Sequence, residues 1–224
     1  FSHAIDSNFK LTGFVDRVDV GGEHFRIVDY KSGEINQSLR DVYCGLELQL
    51  FIYMIAMEQE LGLKPAAGLY LPVGSDFAND KSLKKLILSG FVLGESCVLK
   101  KMDKRFNNNN LKSDIVGVKL STKSDAENLL PDGKIKNILS STGLEHTIKY
   151  VKLLIRKSIN EILSGNIRAT PCKSNVNPCT NCPFFCVCSF ASELNGVVFR
   201  EIKGIWTENN FIDIVRKEEE RKNA

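Results

Sequence analysis

The chain has 224 residues, 43% of them hydrophobic, with 30 Lys and Arg against 27 Asp and Glu, a net charge of +3, three His and seven Cys. That is enough for one large domain, or a domain with an appendage, and it is compatible with a nucleic-acid partner without demanding one. No apolar run reaches membrane length, none reads as a signal peptide, and the few His speak against a His-rich metal site.

Phe1 opens the chain in place of a methionine, as in a piece cut from a longer protein. Residues 9–20, FKLTGFVDRVDV, are strand-like, GGEH at 21–24 is a turn signal, and FRIVDYK at 25–31 is a second strand of β-favouring types. The two form a hairpin. With Val20 opposite Phe25 around a four-residue loop, Asp16 falls opposite Asp29, and opposed residues have Cβ atoms about 5 Å apart. Asp29 and Lys31 share one face of their strand, while Val28 and Tyr30 share the other. Residues 32–45 read as a loop. GLELQLFIYMIAMEQELG, 45–62, reads as a buried helix ended by Gly62, with Gln49 and Tyr53 four apart on one face. AAGLYLPV, 66–73, reads as a buried strand. The order strand, strand, helix, strand is an α/β core.

Residues 74–130 carry weaker signals. KKLILSGFVLGE holds a strand or an edge hairpin, and KRFNNNNLKSD and STKSDAENLLPDGKI are polar, loop-like stretches. Residues 145–165 form an amphipathic helix with an apolar stripe of Ile148, Val151, Ile155, Ile159 and Ile162, capped by Gly165. Its Lys149, Lys152, Arg156 and Lys157 read as a solvated basic face rather than a phosphate-binding one. A cysteine-rich segment and a charged tail follow, and there is no internal repeat.

Two groups of residues carry chemistry. Asp16, Asp29, Lys31, Gln49 and Tyr53 suit a divalent cation: two acids on neighbouring strands hold Mg²⁺ through oxygen, and a lysine beside it orients an attacking water or offsets charge building on a phosphate. Asp19, beside Arg17 near the hairpin tip, reads as a surface charge. Cys179, Cys182 and Cys188 have C-x₂-C-x₅-C spacing, which suits zinc or an iron–sulfur cluster, with Cys186 or Cys172 as an alternative fourth ligand. Four Cys within ten residues, in a chain whose odd total argues against a disulfide framework, favour a metal site or an intracellular location. Cys44 and Cys97 read as core or loop thiols, and His3, His24 and His146 as isolated histidines.

GFVDRVD, IVDYKSG and LELQLFIY in that order resemble the RecB-type branch of the PD-(D/E)xK nucleases. SGNIRATP, NPCTNCPFFCVCSF and GVVFREI are similar to the C-terminal end of the AddB family, one of the two halves of bacterial AddAB helicase–nucleases. The resemblance covers roughly 9–73 and 144–205. It implies a restriction-endonuclease-like α/β fold, a mixed central sheet flanked by helices, with residues 1–170 as nuclease core, an insert at about 74–130, and 171–224 as a cysteine-cluster segment and tail packing on the core. It implies a Mg²⁺-dependent DNA exonuclease in which Asp16, Asp29 and the Tyr30 carbonyl bind metal, Lys31 is catalytic, and Gln49 and Tyr53 lie near the DNA. It makes Cys179, Cys182 and Cys188 three ligands of a [4Fe–4S] cluster whose fourth cysteine lies far upstream in the family. The implied partners are single strands from unwound DNA ends and an AddA-like subunit in a heterodimer, and the implied setting is double-strand break repair by recombination in the bacterial cytoplasm. The family's upstream cysteine and its acidic or His-bearing helix ahead of the first catalytic strand have no counterpart in residues 1–7. The rival readings are a CRISPR-associated or other stand-alone RecB-type exonuclease, against which the 74–130 insert and the VVFREI tail lean, and a nuclease-dead DNA-binding scaffold, against which the intact Asp16, Asp29 and Lys31 argue.

Overall fold

A computed structural model of the chain describes residues 1–5, 8–32, 37–73, 88–106, 112–113, 118–119, 137–173, 177–180, 182–188, 190, 199–201 and 207–223. The chain divides into two compact units, one of Phe1–Ser38 with Leu48–Ile148, the other of Leu39–Glu47 with Lys149–Ala224.

The first unit opens with β1 (Ser2–Ala4), β2 (Lys10–Thr12), β3 (Arg17–Gly21) and β4 (His24–Lys31). The single strand expected over 9–20 is two strands. β2 pairs antiparallel with β1, and only β3 pairs with β4. The physical reason is local: the Tyr30 N–H, which a continuing ladder would give to a backbone carbonyl, is taken by Asp16 Oδ2 at 2.9 Å. The hairpin register is the expected one, with Val20 opposite Phe25. Gly21 also pairs with His24, so the loop shortens to Gly22 and Glu23, with Gly22 at φ +65°.

The chain continues with α1 (Leu39–Tyr43), α2 (Gln49–Leu61), β5 (Lys64–Pro72), β6 (Ser89–Leu93), α3 (Ser96–Met102), β7 (Lys112–Ser113), β8 (Val118–Lys119) and β9 (Ile138–Leu139). The central sheet has five strands in the order β3-β4-β5-β6-β9. It is mixed: β4 and β5 run parallel, as do β6 and β9, while β3/β4 and β5/β6 are antiparallel. A parallel neighbour for β4 needs a crossover, and α2 supplies it. β6 is an interior strand rather than an edge, because β9 covers its far side. The Asn-rich 107–111, the stretch 120–136 and residues 74–87 lie outside the described residues.

Two departures at α2 follow from the backbone. The helix begins at Gln49, not 45, because Gly45 (φ +83°) and Glu47 (φ +54°) are left-handed, a conformation an α-helix does not admit. The expected loop 32–45 contains α1, held by buried Val42 and Asp41. At its other end α2 stops as expected at Gly62, left-handed at φ 67°, whose N–H reaches the Glu58 carbonyl.

Each face of the sheet is covered. Gly68 of β5 lets α2 approach: a Cβ there would lie 3.0 Å from Leu50 Cβ and 3.1 Å from Met54 Cε. The opposite face carries Val28, Ala67, Leu69, Val92 and Ile138, packed with Leu99 and Phe106 from the α3 side. Gly90 in β6 has φ +151°, and a Cβ there would overlap the Gly68 carbonyl and Leu69 Cα.

The helix expected over 145–165 is α4 (Ser141–Leu163), one turn longer at its start. Ser140 Oγ accepts the Gly143 N–H at 3.0 Å, an N-cap that fixes the earlier start. Its end is a Schellman motif, with Gly165 at φ +70°, its N–H on the Ile162 carbonyl and the Asn166 N–H on the Glu161 carbonyl.

The second unit also holds β10 (Cys172–Lys173), α5 (Phe185–Cys188), β11 (Arg200–Glu201) and α6 (Glu208–Asn223). Its core is aromatic. Tyr43 stacks on Tyr150 at 5.3 Å and Tyr150 meets the edge of Phe211 at 5.6 Å. The Tyr150 hydroxyl donates to the Tyr43 carbonyl at 2.9 Å, and the Tyr43 hydroxyl donates to Glu218 at 2.5 Å. Burial first, then the Glu218 carboxylate, push the Tyr43 phenol well above its ordinary range, so the proton stays on the oxygen that uses it. No helix among the described residues is long and apolar enough to cross a membrane.

Gly90→Ala is expected to lower stability by about 2 kcal/mol or more, since the new methyl meets backbone and not a movable side chain. Urea denaturation of the two chains checks this.

Candidate active site

The site is built where β4 leaves the sheet beside the start of α2. β4 is buried through Val28 and Asp29, then emerges at Tyr30 and Lys31. Strand alternation sends Asp29 and Lys31 to the α2 face. Lys31 Nζ stands 3.1 Å from Asp29 Oδ2, with the Asp29 side chain 6% exposed and that of Lys31 37% exposed. This is an ion-pair contact outside hydrogen-bond angles, so the buried Oδ2 has charge compensation but no hydrogen bond.

Gln49, the first residue of α2, ties the pair together. Its Nε2 donates to Asp29 Oδ1 at 3.1 Å and to the Tyr53 hydroxyl at 2.8 Å. Its Oε1 accepts from Lys31 Nζ at 2.7 Å and from the Tyr70 hydroxyl at 3.4 Å. Both N–H donors and both lone pairs of the amide are therefore used, which fixes its orientation. The Q-x-x-x-Y spacing works as one helical turn works, placing Tyr53 directly behind Gln49.

Tyr70 joins the site without having been a candidate on sequence grounds. The parallel register sets it beside Asp29, and its ring lies 5.1 Å from the Lys31 ammonium, a cation–π contact. The chain's only hint of it is its place in AAGLYLPV, and no local rule gives the register of two strands joined through a helix.

Asp16 lies just before β3, exposed, with Oδ2 on the Tyr30 N–H. The ladder ends at the Arg17–Val28 pair, which keeps the expected register, and Asp16 itself meets β4 through its carboxylate on the Tyr30 N–H. Tyr30 thus holds Asp16 in place through its N–H. Asp19 is more than a surface charge: it takes the Nε–H of Arg17 and of Arg26, each at 2.8 Å. Burial alone would raise its carboxyl, but the two guanidinium groups outweigh burial and hold it below the usual range.

The donor chemistry fits a hard divalent cation. Asp29 offers a buried oxygen with no hydrogen bond, and Asp16 offers an exposed carboxylate one strand away. The cysteines are arranged differently. Cys179 and Cys182 flank a turn in which the Cys182 N–H reaches the Cys179 carbonyl at 3.3 Å, and Cys188 ends α5. Among the described residues no three His, Cys, Asp or Glu side chains come together as a metal site, and all seven Cys are free thiols. Cys172 is buried and hydrogen-bonded to buried Cys44, whose thiol is pushed up to about 12, by burial first and the neighbouring thiol second.

A mixed sheet with helices on it, and an Asp-x-Lys at the mouth of a central strand, define the architecture of a metal-dependent nuclease core. The family comparison agrees: the PD-(D/E)XK nuclease superfamily matches residues 1–189, and the chain belongs to that superfamily. Among individual proteins it is similar to the B subunit of the ATP-dependent helicase/deoxyribonuclease of Thermoanaerobacter sp. (strain X514), 33% identical over 215 residues, covering 87% of this chain and 18% of that protein. The B subunit from Clostridioides difficile (strain 630) is 30% identical over 214 residues, 86% of this chain and 18% of that protein. That from Clostridium kluyveri (strain NBRC 12016) is 34% identical over 228 residues, 89% and 19% respectively. The chain thus spans about a fifth of the length of the curated relatives it matches.

Gln49→Leu is expected to destabilise the chain by about 1–3 kcal/mol, because it strips Asp29 Oδ1 of a hydrogen bond in a buried setting. Urea denaturation checks this, and Gln49→Glu should not restore the loss, since it sets a second carboxylate beside Asp29.

Proposed function

We propose that this chain is the nuclease domain of a helicase–nuclease of the AddB type, a metal-dependent deoxyribonuclease that hydrolyses phosphodiesters in single strands from unwound DNA ends. The observation that supports this best is the Asp29–Lys31–Gln49 cluster, a buried carboxylate and a half-exposed lysine fixed by one amide. Asp16, Asp29 and the Tyr30 carbonyl are the ligands we assign to Mg²⁺, which when bound lowers the pKa of its water and offsets charge on the phosphate. Lys31 keeps its ammonium at the open end of the site, where it stabilises the negative charge that grows on the phosphate oxygens. Gln49 holds Lys31 and Asp29 at fixed separation, so neither has to reorganise during reaction. Tyr53 and Tyr70 hold Gln49 in turn.

The sequence resemblance carries the rest of the reading, a partner of AddA type, DNA ends as substrate, and recombinational repair in the bacterial cytoplasm; the relatives' names add a helicase/deoxyribonuclease with more than one subunit. On this reading residues 1–170 form the nuclease core with an insert at about 74–130, and 171–224 form the cysteine-bearing segment and tail. Cys179, Cys182 and Cys188 are our assignment for three ligands of a [4Fe–4S] cluster. The described thiols are not gathered around one point, and no step of the reaction is drawn through them.

The test is degradation of linear DNA by the chain in Mg²⁺. Lys31→Ala is expected to lower the rate about 100-fold or more, with a lowered Tm because Asp29 loses its ion-pair partner, and EDTA to abolish cleavage. Mg²⁺ should raise Tm in the parent chain and not in Asp29→Asn, since a ligand stabilises only the state that binds it. Cleavage that persists in Lys31→Ala, or a Tm that ignores Mg²⁺, would count against the assignment.

A further inference from the structure

The β3–β4 hairpin has a second chemical face. On the side away from Asp29 and Lys31 it presents Arg17, Asp19, His24 and Arg26, which with Lys101 and Met102 of α3 line a cavity of about 280 Å³. Its charges do not balance. Arg17, Arg26 and Lys101 face a single carboxylate, Asp19.

Asp19 engages the Nε–H of each and so orients both guanidinium groups, and Arg17 has the Tyr30 side chain as a further partner. Arg26 Nη1 and His24 Nδ1 have no hydrogen-bond partner but are sealed from solvent, so neither atom opens on the cavity. Lys101 is drawn to the hairpin tip: a Cβ on Gly22 would stand 3.0 Å from its Nζ. The cations thus approach one space from the hairpin on one side and the helix on the other.

We propose that this cavity binds a phosphate oxyanion, held by the Lys101 ammonium and by the guanidinium edges of Arg26 and Arg17 that line it. Arginine forks match phosphate oxygens two at a time, which favours phosphate over a halide or a single carboxylate. Asp19 opposes the anion and keeps the affinity modest. The phosphate belongs either to a DNA strand passing the back of the hairpin or to a free nucleotide. The proposal stands on the cavity alone and survives if the opposite face proves inactive.

The experiment is a phosphorus NMR titration of the chain with inorganic phosphate in EDTA, repeated with a deoxynucleoside monophosphate and with a short single strand as competitors. Saturable binding is expected, weakened about fivefold or more by Lys101→Gln, abolished by Arg26→Gln, and unchanged by Lys31→Ala. Lys101 is exposed, so its variant keeps the fold if Arg26→Gln does not. Displacement of phosphate by the single strand, dependent on Lys101, assigns the site to the DNA backbone; displacement by the monophosphate alone assigns it to free nucleotide. No saturable binding, or binding of equal strength in Lys101→Gln, overturns the proposal.

Discussion

The Gln49 amide is the contact on which the candidate site depends. Its two hydrogens go to Asp29 and Tyr53, and its oxygen receives Lys31 and Tyr70. A primary amide donates from one end and accepts at the other, so it can bind a carboxylate and an ammonium at once. That lets it fix the geometry in which two opposite charges meet, as an ion pair outside hydrogen-bond angles. The outcome is visible at Asp29 Oδ2, which Lys31 approaches to 3.1 Å without closing a hydrogen bond. Such an oxygen is poorly satisfied by the protein alone, and a cation is what satisfies it.

The fold serves that contact. Gly68 removes the side chain that would hold α2 off the sheet, so the first turn of the helix sits directly over the mouth of β4. Parallel pairing then puts Tyr70 next to Asp29, and the strand exit leaves Lys31 half in solvent. On the other side of the same hairpin the sheet alternation collects arginines around Asp19. One hairpin thus presents Asp29 and Lys31 to the α2 side and a surplus of bases to the α3 side.

Much of this is legible in the chain because it rests on local rules. The two-residue period of β4 puts Asp29 and Lys31 on one face, turn chemistry at Gly21–Gly22 sets the hairpin register, and one helical turn joins Gln49 to Tyr53. What the sequence hides is non-local or depends on a single backbone angle. The break between β2 and β3 comes from Asp16 capturing the Tyr30 N–H, which only the folded hairpin reveals. The start of α2 is displaced by left-handed Glu47, and the start of α4 by the Ser140 cap, a signal the sequence does contain. β9 is a two-residue strand whose only cue is its partner β6. Cys172, weighed as a ligand for the cysteine run, lies buried beside Cys44, a neighbour from a distant part of the sequence.

The measurement that addresses the central claim most directly is a crystal structure of the chain grown with Mn²⁺, read by anomalous scattering. The account predicts a peak at about 2.1–2.2 Å from Asp29 Oδ2 and from an Asp16 carboxylate oxygen, with Gln49 still bridging Asp29 and Lys31. An ion absent from that position while Mn²⁺ occupies others would contradict it.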